Sequence, residues 1–262
     1  MMLTILYQDS GTLVVQSHAG EFDKFAADDL YGKFNMGLHV GDRAEQVLDN
    51  RANLLVTLNE LTDNKVAAIH WLNQIHSDTV INTDDKPQAM PHAGDALTSG
   101  QKGQALAIMT ADCVPIAVFG GGQVACIHAG WQGLAKGIIK NTLANFAKDA
   151  PIQAVIGACI SQANYEIDRL LAQNIVRQVV TADLVEPSQD ELYQAVIQDT
   201  TPDKCLIDIV KLTKLQLAKL GVSVLTCDVP CSYATPNLYS YRAQTHAKKS
   251  ATGRMATVIV QF

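Results

Sequence analysis

Short apolar runs bounded by Gly, Asp and Pro punctuate the chain, and each reads as a strand: residues 12–16, 66–72, 104–109, 114–119, 124–128, 152–158, 222–227 and 256–262. Helical spacing alternates with them. Ala44, Val47, Leu48, Leu54, Leu55 and Leu58 recur at three- and four-residue intervals behind Asp42, which suits an N-cap. Arg51 falls on that apolar stripe, where an arginine needs an anionic partner. Between 130 and 148, Leu134, Ile138, Thr142, Leu143 and Phe146 share a face behind a Gly-Trp-Gln-Gly entry. Residues 165–180 predict a helix with Ile167, Leu170, Leu171, Ile175 and Val179 inward, and 207–220 another, closed by Gly221. The polar stretch from His18 to Phe34 reads as a loop. Strands and helices interleave without regular βαβ units or an internal repeat, so an α/β (α+β) protein built on mixed sheets is expected.

Composition narrows the function. The chain has 262 residues, 48% hydrophobic and 18% charged, enough apolar surface to order a core. Its length allows one large unit or two small ones, and no low-complexity linker divides it. A net charge of −6 argues against nucleic acid as the main partner. The first residues lack a basic segment followed by an apolar one, and no apolar run reaches membrane-spanning length, so a cytoplasmic enzyme without membrane attachment is expected. Six cysteines are too few for a disulfide scaffold at this length and read as thiols; the Cys227 to Cys231 spacing is not CxxC and reads as structural.

Three segments place metal ligands where strands end: Asn73-Gln74-Ile75-His76, Thr110-Ala111-Asp112-Cys113 and Ile127-His128-Ala129-Gly130. His76, Cys113 and His128 would make a three-ligand zinc set with a fourth position open, the arrangement of a catalytic centre. The same residues also suit a Cys113 nucleophile with His76 or His128 as base, or ordinary core positions. Asp95 and Asp112 can orient a ligand histidine, stabilise positive charge, or cap a turn. The Gly130 to Gly133 entry offers free N–H groups to an anion, or simply a tight turn. Tyr239-Ser240-Tyr241-Arg242 and Thr252-Gly253-Arg254-Met255 gather arginine and tyrosine, suited to an anionic group and a flat base, or form a solvated loop.

Taken in order, these segments resemble the YfiH family, also called the laccase-domain or polyphenol oxidase family and since reassigned to purine nucleoside phosphorylases. The likeness is carried by Phe34 to Asp42, Asn50-Arg51, Trp71 to His76, Gly94 to Thr98, Thr110 to Pro115, His128 to Trp131, Tyr165-Glu166, Tyr239 to Arg242 and Thr252 to Arg254, collinear to the C-terminus. The resemblance implies one catalytic domain over 1–262, a sandwich of mixed sheets flanked by helices, and zinc held by His76, Cys113 and His128. It also implies phosphorolysis of adenosine, inosine and methylthioadenosine to free base and the ribose 1-phosphate, with adenosine deamination as a side activity. Departures from the family pattern are Gln132, Ala158 and the segment 19–33.

On this reading Arg51 and Asp112 take catalytic roles, and Asn35, Arg51, Tyr241 and Arg242 meet phosphate or nucleoside. The partners are small purine nucleosides and phosphate, and the chain works as a monomer or small homo-oligomer. Copper is the rival metal, for a polyphenol oxidase, although several coppers need more histidines than seven scattered ones provide. A non-catalytic module stabilised by zinc is the rival from another class.

Overall fold

Strands covered on both faces lose polar alternation, and the chain's most continuously apolar runs become the centres of two sheets. In the computed structural model, residues 2–85, 91–147 and 149–262 are described. One sheet has five strands in the order Leu3–Gln8, Thr12–Ser17, Met255–Gln261, Gln104–Thr110 and Ala68–His70. Only its last pairing, Ala68–His70 on Gln104–Thr110, is parallel. The other has six, in the order Ser223–Val224, Gln153–Ile156, Val114–Gly120, Gln123–Ala129, Ala96–Ser99 and Val80–Asn82, with parallel pairing at its two edges. A three-stranded sheet and a two-stranded one complete the set.

The two large sheets pack face to face. Val14, Leu106, Ile108 and Ile259 from the first meet Ala117, Phe119, Cys126 and Val155 from the second. The outer face of the five-stranded sheet is covered by helix Ala44–Leu61, through Leu54 and Leu58 against Ala107 and Val258. Leu134, Ile138, Ile175 and Leu212, from helices further along the chain, cover the six-stranded sheet. Burying a Leu or Ile fully is worth roughly 1.5–3 kcal/mol, so these layers supply most of the driving force. The expected α/β sandwich flanked by helices is therefore present, as four layers.

Several elements differ from the sequence expectation, each for a local reason. Helix Ala44–Leu61 is capped at Arg43, because Asp42 turns its carboxylate to Asn35 Nδ2 at 2.9 Å. Its inward stripe is Val47, Asn50, Leu54 and Leu58, which leaves Leu48 54% exposed. The run 66–72 divides into Ala68–His70 and Leu72–Asn73, since the second piece leaves the sheet to pair with His92–Ala93. The single helix expected over 130–148 is two, Trp131–Lys136 and Ile138–Leu143, broken at Gly137, whose φ of 87° no helix tolerates; Lys148 lies outside the described residues. The helix expected from 165 starts at Arg169, because Glu166–Asp168 pairs as a strand with Lys204–Ile207. Leu170 is consequently 75% exposed rather than inward. Ile207 ends that partner strand, and the next helix, Ile209–Lys219, is capped by Asp208 accepting from Lys211 N at 2.8 Å. Of the strand expected over 222–227 only Ser223–Val224 forms.

Candidate metal centre and its cavity

The site lies at one end of the sandwich, where the chain crosses from one sheet to the other. Strand Gln104–Thr110 belongs to the first sheet and Val114–Gly120 to the second, so the intervening Ala111-Asp112-Cys113 bridges them. Asp112 makes that turn at φ 104°, an uncommon angle for a residue with a Cβ. It is held there by Ile160 N on its carbonyl at 2.9 Å. His128 sits one residue from the end of Gln123–Ala129, on the neighbouring strand. His76 is carried by a loop that Gln74 fastens to the first sheet: its amide donates to Met109 O at 2.8 Å and accepts from Met109 N at 2.7 Å.

Three residues separated by 37 and 15 positions thus converge. The donor atoms of His76, Cys113 and His128 all lie within 4.8 Å of one another, and Cys113 Sγ is 3.9 Å from His76 Nε2. A tetrahedral zinc, with bonds of about 2.3 Å to sulfur and 2.0–2.1 Å to nitrogen, needs sulfur and nitrogen about 3.6 Å apart. The Cys113–His76 pair is close to that spacing, and with every pair inside 4.8 Å the three residues fit such an ion once their side chains close by up to about 1 Å. Gly130 makes room: a Cβ there would lie 3.2 Å from both Cys113 Sγ and His76 Cδ2.

Asp95 organises two of the three donors. Its carboxylate accepts from His128 Nδ1 at 2.8 Å and His76 N at 3.0 Å, and from Ser77 N and Oγ at 2.5 and 2.7 Å. Nδ1 of His128 is thereby occupied, which leaves Nε2 to face the other ligands. Burial alone would raise the Asp95 pKa, but the hydrogen bonds from His128 and Ser77 hold it down to about 2. Burial likewise opposes charge on Cys113 and His128. Each nevertheless favours its charged form because the other is adjacent, so the thiol is shifted down and the imidazole up. A thiolate is the form that ligates a metal.

These donors open into a cavity of about 860 Å³, within the range of small-molecule sites. Asp112, Tyr241 and Arg242 line it together with the three donors. Asp112 accepts from Ser232 Oγ at 2.6 Å and from Arg242 N at 2.7 Å, so both its oxygens are engaged in holding the wall. Arg242 lies 5.5 Å over the Tyr165 ring and donates to Glu166 O at 2.8 Å. Tyr241 is 57% exposed at the rim.

Two candidates from the sequence do not line the cavity. Arg51 spends Nε and Nη2 on Met36 O at 3.0 and 2.7 Å and stacks 3.9 Å over Trp71. Its anionic partner, expected from its place on an apolar stripe, is thus a carbonyl and a ring face; burial pulls its pKa down to about 10. Asn35 is buried and directed at main-chain atoms and Asp42. Conversely, Gln74, His39 and Tyr165 line the cavity although they are not among the expected site residues, and so does Arg254, from one of the two arginine-bearing motifs suited to an anionic group. All four lie in segments that carry the family resemblance, His39 in Phe34 to Asp42, Gln74 in Trp71 to His76, Tyr165 beside Glu166 and Arg254 in Thr252 to Arg254. Burial raises the Tyr165 pKa, so its phenol stays protonated.

The entry Gly130 to Gly133 opens a helix of only six residues with no side-chain cap, followed at once by the Gly137 break, and so provides little dipole. No helix among the described residues is long and apolar enough to cross a membrane.

The profile of the family described as multi-copper polyphenol oxidoreductase laccase matches residues 24–261. A purine nucleoside phosphorylase of Corynebacterium glutamicum is 34% identical over 238 residues, covering 87% of both chains. The Escherichia coli purine nucleoside phosphorylase YfiH is 34% identical over 233 residues, 87% of this chain and 86% of that one. Among solved structures, a Neisseria meningitidis protein superposes with a TM-score of 0.79 at 27% identity, covering 100% of this chain and 99% of its own. YlmD from Geobacillus stearothermophilus shares the fold, with a TM-score of 0.74 at 22% identity over 98% and 99% of the two chains.

Proposed function

The chain belongs to the multi-copper polyphenol oxidoreductase laccase family, the YfiH family, and from that premise we propose that it is a zinc-dependent purine nucleoside phosphorylase. The observation that carries the proposal is the convergence of His76, Cys113 and His128 on the wall of a cavity that arginine and tyrosine also line. The relatives named purine nucleoside phosphorylase support it. The substrates proposed are adenosine, inosine and methylthioadenosine with inorganic phosphate, and the products the free base and the corresponding ribose 1-phosphate.

In phosphorolysis a phosphate oxygen bonds to ribose C1′ while the C1′–N bond breaks and its electron pair leaves with the purine. The sugar is oxocarbenium-like at the transition state, so the protein must hold an anion beside C1′ and orient the base. The Tyr241 ring at the rim and the Arg242–Tyr165 stack offer flat surfaces to the purine. Asp112 fixes Arg242 through its main-chain N–H, which makes it a positioning residue. His76, Cys113 and His128 would hold the zinc, which supplies Lewis acidity towards phosphate or ribose oxygens and, in adenosine deamination as a side reaction, activates water.

The family description raises copper oxidase chemistry. Among the described residues one group of three donors converges, whereas a multi-copper centre needs several such sets. Incubation with adenosine and phosphate tests the proposal: adenine and ribose 1-phosphate should appear, and should fall to background in His76→Ala. No product above that variant would refute the phosphorylase assignment.

A further inference from the structure

We infer that Arg254, with His39 beside it, receives the anionic co-substrate, inorganic phosphate, and that Asn35 acts one step behind by fixing Arg254; the inference rests on the phosphorylase reading above. Three arginines stand at or near the cavity: Arg51, Arg242 and Arg254. Among the described residues, the arginines within 4.0 Å of a carboxylate are Arg43 and Arg169, neither of them at the site. Half-buried guanidinium groups without a counter-charge are costly unless an anion completes them.

Their hydrogen bonds separate the three. Arg51 is turned away onto Met36 O and Trp71. Arg242 donates through Nη2 to Glu166 O and lies along the Tyr165 ring. Arg254 donates only through Nη1, to Thr252 O and Gly253 O, both at 3.0 Å. Its Nε and Nη2 have no protein acceptor among the described residues. Two such donors on one planar guanidinium match the spacing of phosphate oxygens.

The surroundings preorganise it. Arg254 N donates to Asn35 Oδ1 at 2.8 Å, and Met36 N donates to Arg254 O at 3.0 Å. Asn35 is itself fixed, donating to Asp42 Oδ2 at 2.9 Å and accepting from Gly37 N at 2.9 Å. The Arg254 stem crosses Gly37, where a Cβ would approach its Cγ to 3.0 Å. Beside it, partial desolvation and then the charges of Arg254 and Arg51 keep His39 below its ordinary pKa, so His39 meets an anion as a neutral ring N–H donor and Arg254 supplies the charge, with no carboxylate within salt-bridge distance among the described residues. Asp112, on the same wall, is already engaged by Ser232 and Arg242.

The test combines calorimetric titration of inorganic phosphate into the purified protein with separate KM values for phosphate and adenosine, for wild type, Arg254→Gln, Arg254→Lys and Arg242→Gln. Loss of charge-assisted hydrogen bonds should weaken phosphate binding by about tenfold or more in Arg254→Gln, and raise KM for phosphate as much. KM for adenosine should move less than about twofold, a split that general misfolding would not produce. Arg242→Gln should show the reverse split. Wild-type phosphate affinity and KM in Arg254→Gln would overturn the inference. If that variant does not fold, Arg254→Lys decides, because a point charge without the fork should still lose severalfold and unchanged affinity overturns the role. Phosphate binding through Arg254 in a protein that forms no ribose 1-phosphate would instead overturn the phosphorylase reading and leave the anion site standing.

Discussion

Replacing Asp95 by Asn keeps the shape of the side chain and removes one acceptor, which isolates what the carboxylate does for the two histidines. All its neighbours are donors: Ile75 N at 3.4 Å, His76 N at 3.0 Å, Ser77 N at 2.5 Å, Ser77 Oγ at 2.7 Å and His128 Nδ1 at 2.8 Å. If the new amide NH2 takes the Oδ2 position it faces the Ser77 N–H. If it takes the Oδ1 position it faces His76 N–H and drives the His128 proton to Nε2, the nitrogen needed for the metal. Each buried donor left unsatisfied costs about 1–3 kcal/mol, so a loss of about 2–4 kcal/mol of stability is expected. Zinc affinity should fall about 10–100-fold, the usual consequence of losing a partner behind a ligand histidine. Denaturant unfolding and zinc competition against a chromophoric chelator measure the two effects. Stability within about 0.5 kcal/mol of wild type together with unchanged zinc affinity would refute the role of Asp95 as the residue that orients His76 and His128.

The same carboxylate sets an acid limit: its folded pKa of about 2 lies below the ordinary 3.8, so its stabilisation is present above pH 4 and is lost as pH falls towards 2. Acid titration of Asp95→Asn should lack that step, and an identical profile to wild type would count against the assignment. Gly130→Ala places a methyl 3.2 Å from Cys113 Sγ and His76 Cδ2 and should weaken zinc binding with little change in unfolding, as read by the same competition assay. Lys249 Nζ donates to the carbonyls of Asp23, Lys24 and Asp29, while Lys24 Nζ donates to those of Ser232, Tyr233 and Thr235, two staples that pin segment 19–33. Lys249→Met should cost about 2–4 kcal/mol and open that segment to limited proteolysis, since it orphans buried acceptors. A strong chelator should abolish activity and zinc restore it; activity that survives chelation but not iodoacetamide would point to Cys113 as a nucleophile.

The sheet cores were legible because strands buried on both faces, such as Val114–Gly120 and Gln123–Ala129, are continuous apolar runs. Edge strand Leu3–Gln8, with only Leu3 buried, left no such signal, and neither did the short elements Gln189–Val196, Ile197–Asp199 and Lys204–Ile207. Residues 165–180 misled because Ile167, Leu170 and Leu171 fit helical spacing while Ile167 belongs to a strand. In the site, intervals of 37 and 15 residues carry no local spacing rule, so the three donors were recognisable through the family motifs rather than from periodicity. The same motifs pointed to Asn35 and Arg51, which support the cavity from behind. Whether a motif residue reaches a ligand depends on which of its donors the backbone has already used, and that appears only when the chain is folded.

Anomalous diffraction at the zinc edge, from crystals of the protein grown with zinc, tests the metal centre most directly. One peak should lie within bonding distance of His76 Nε2, Cys113 Sγ and His128 Nε2. Side chains that point apart with no peak between them, or a peak elsewhere in the molecule, would contradict the proposed centre and the chemistry built on it.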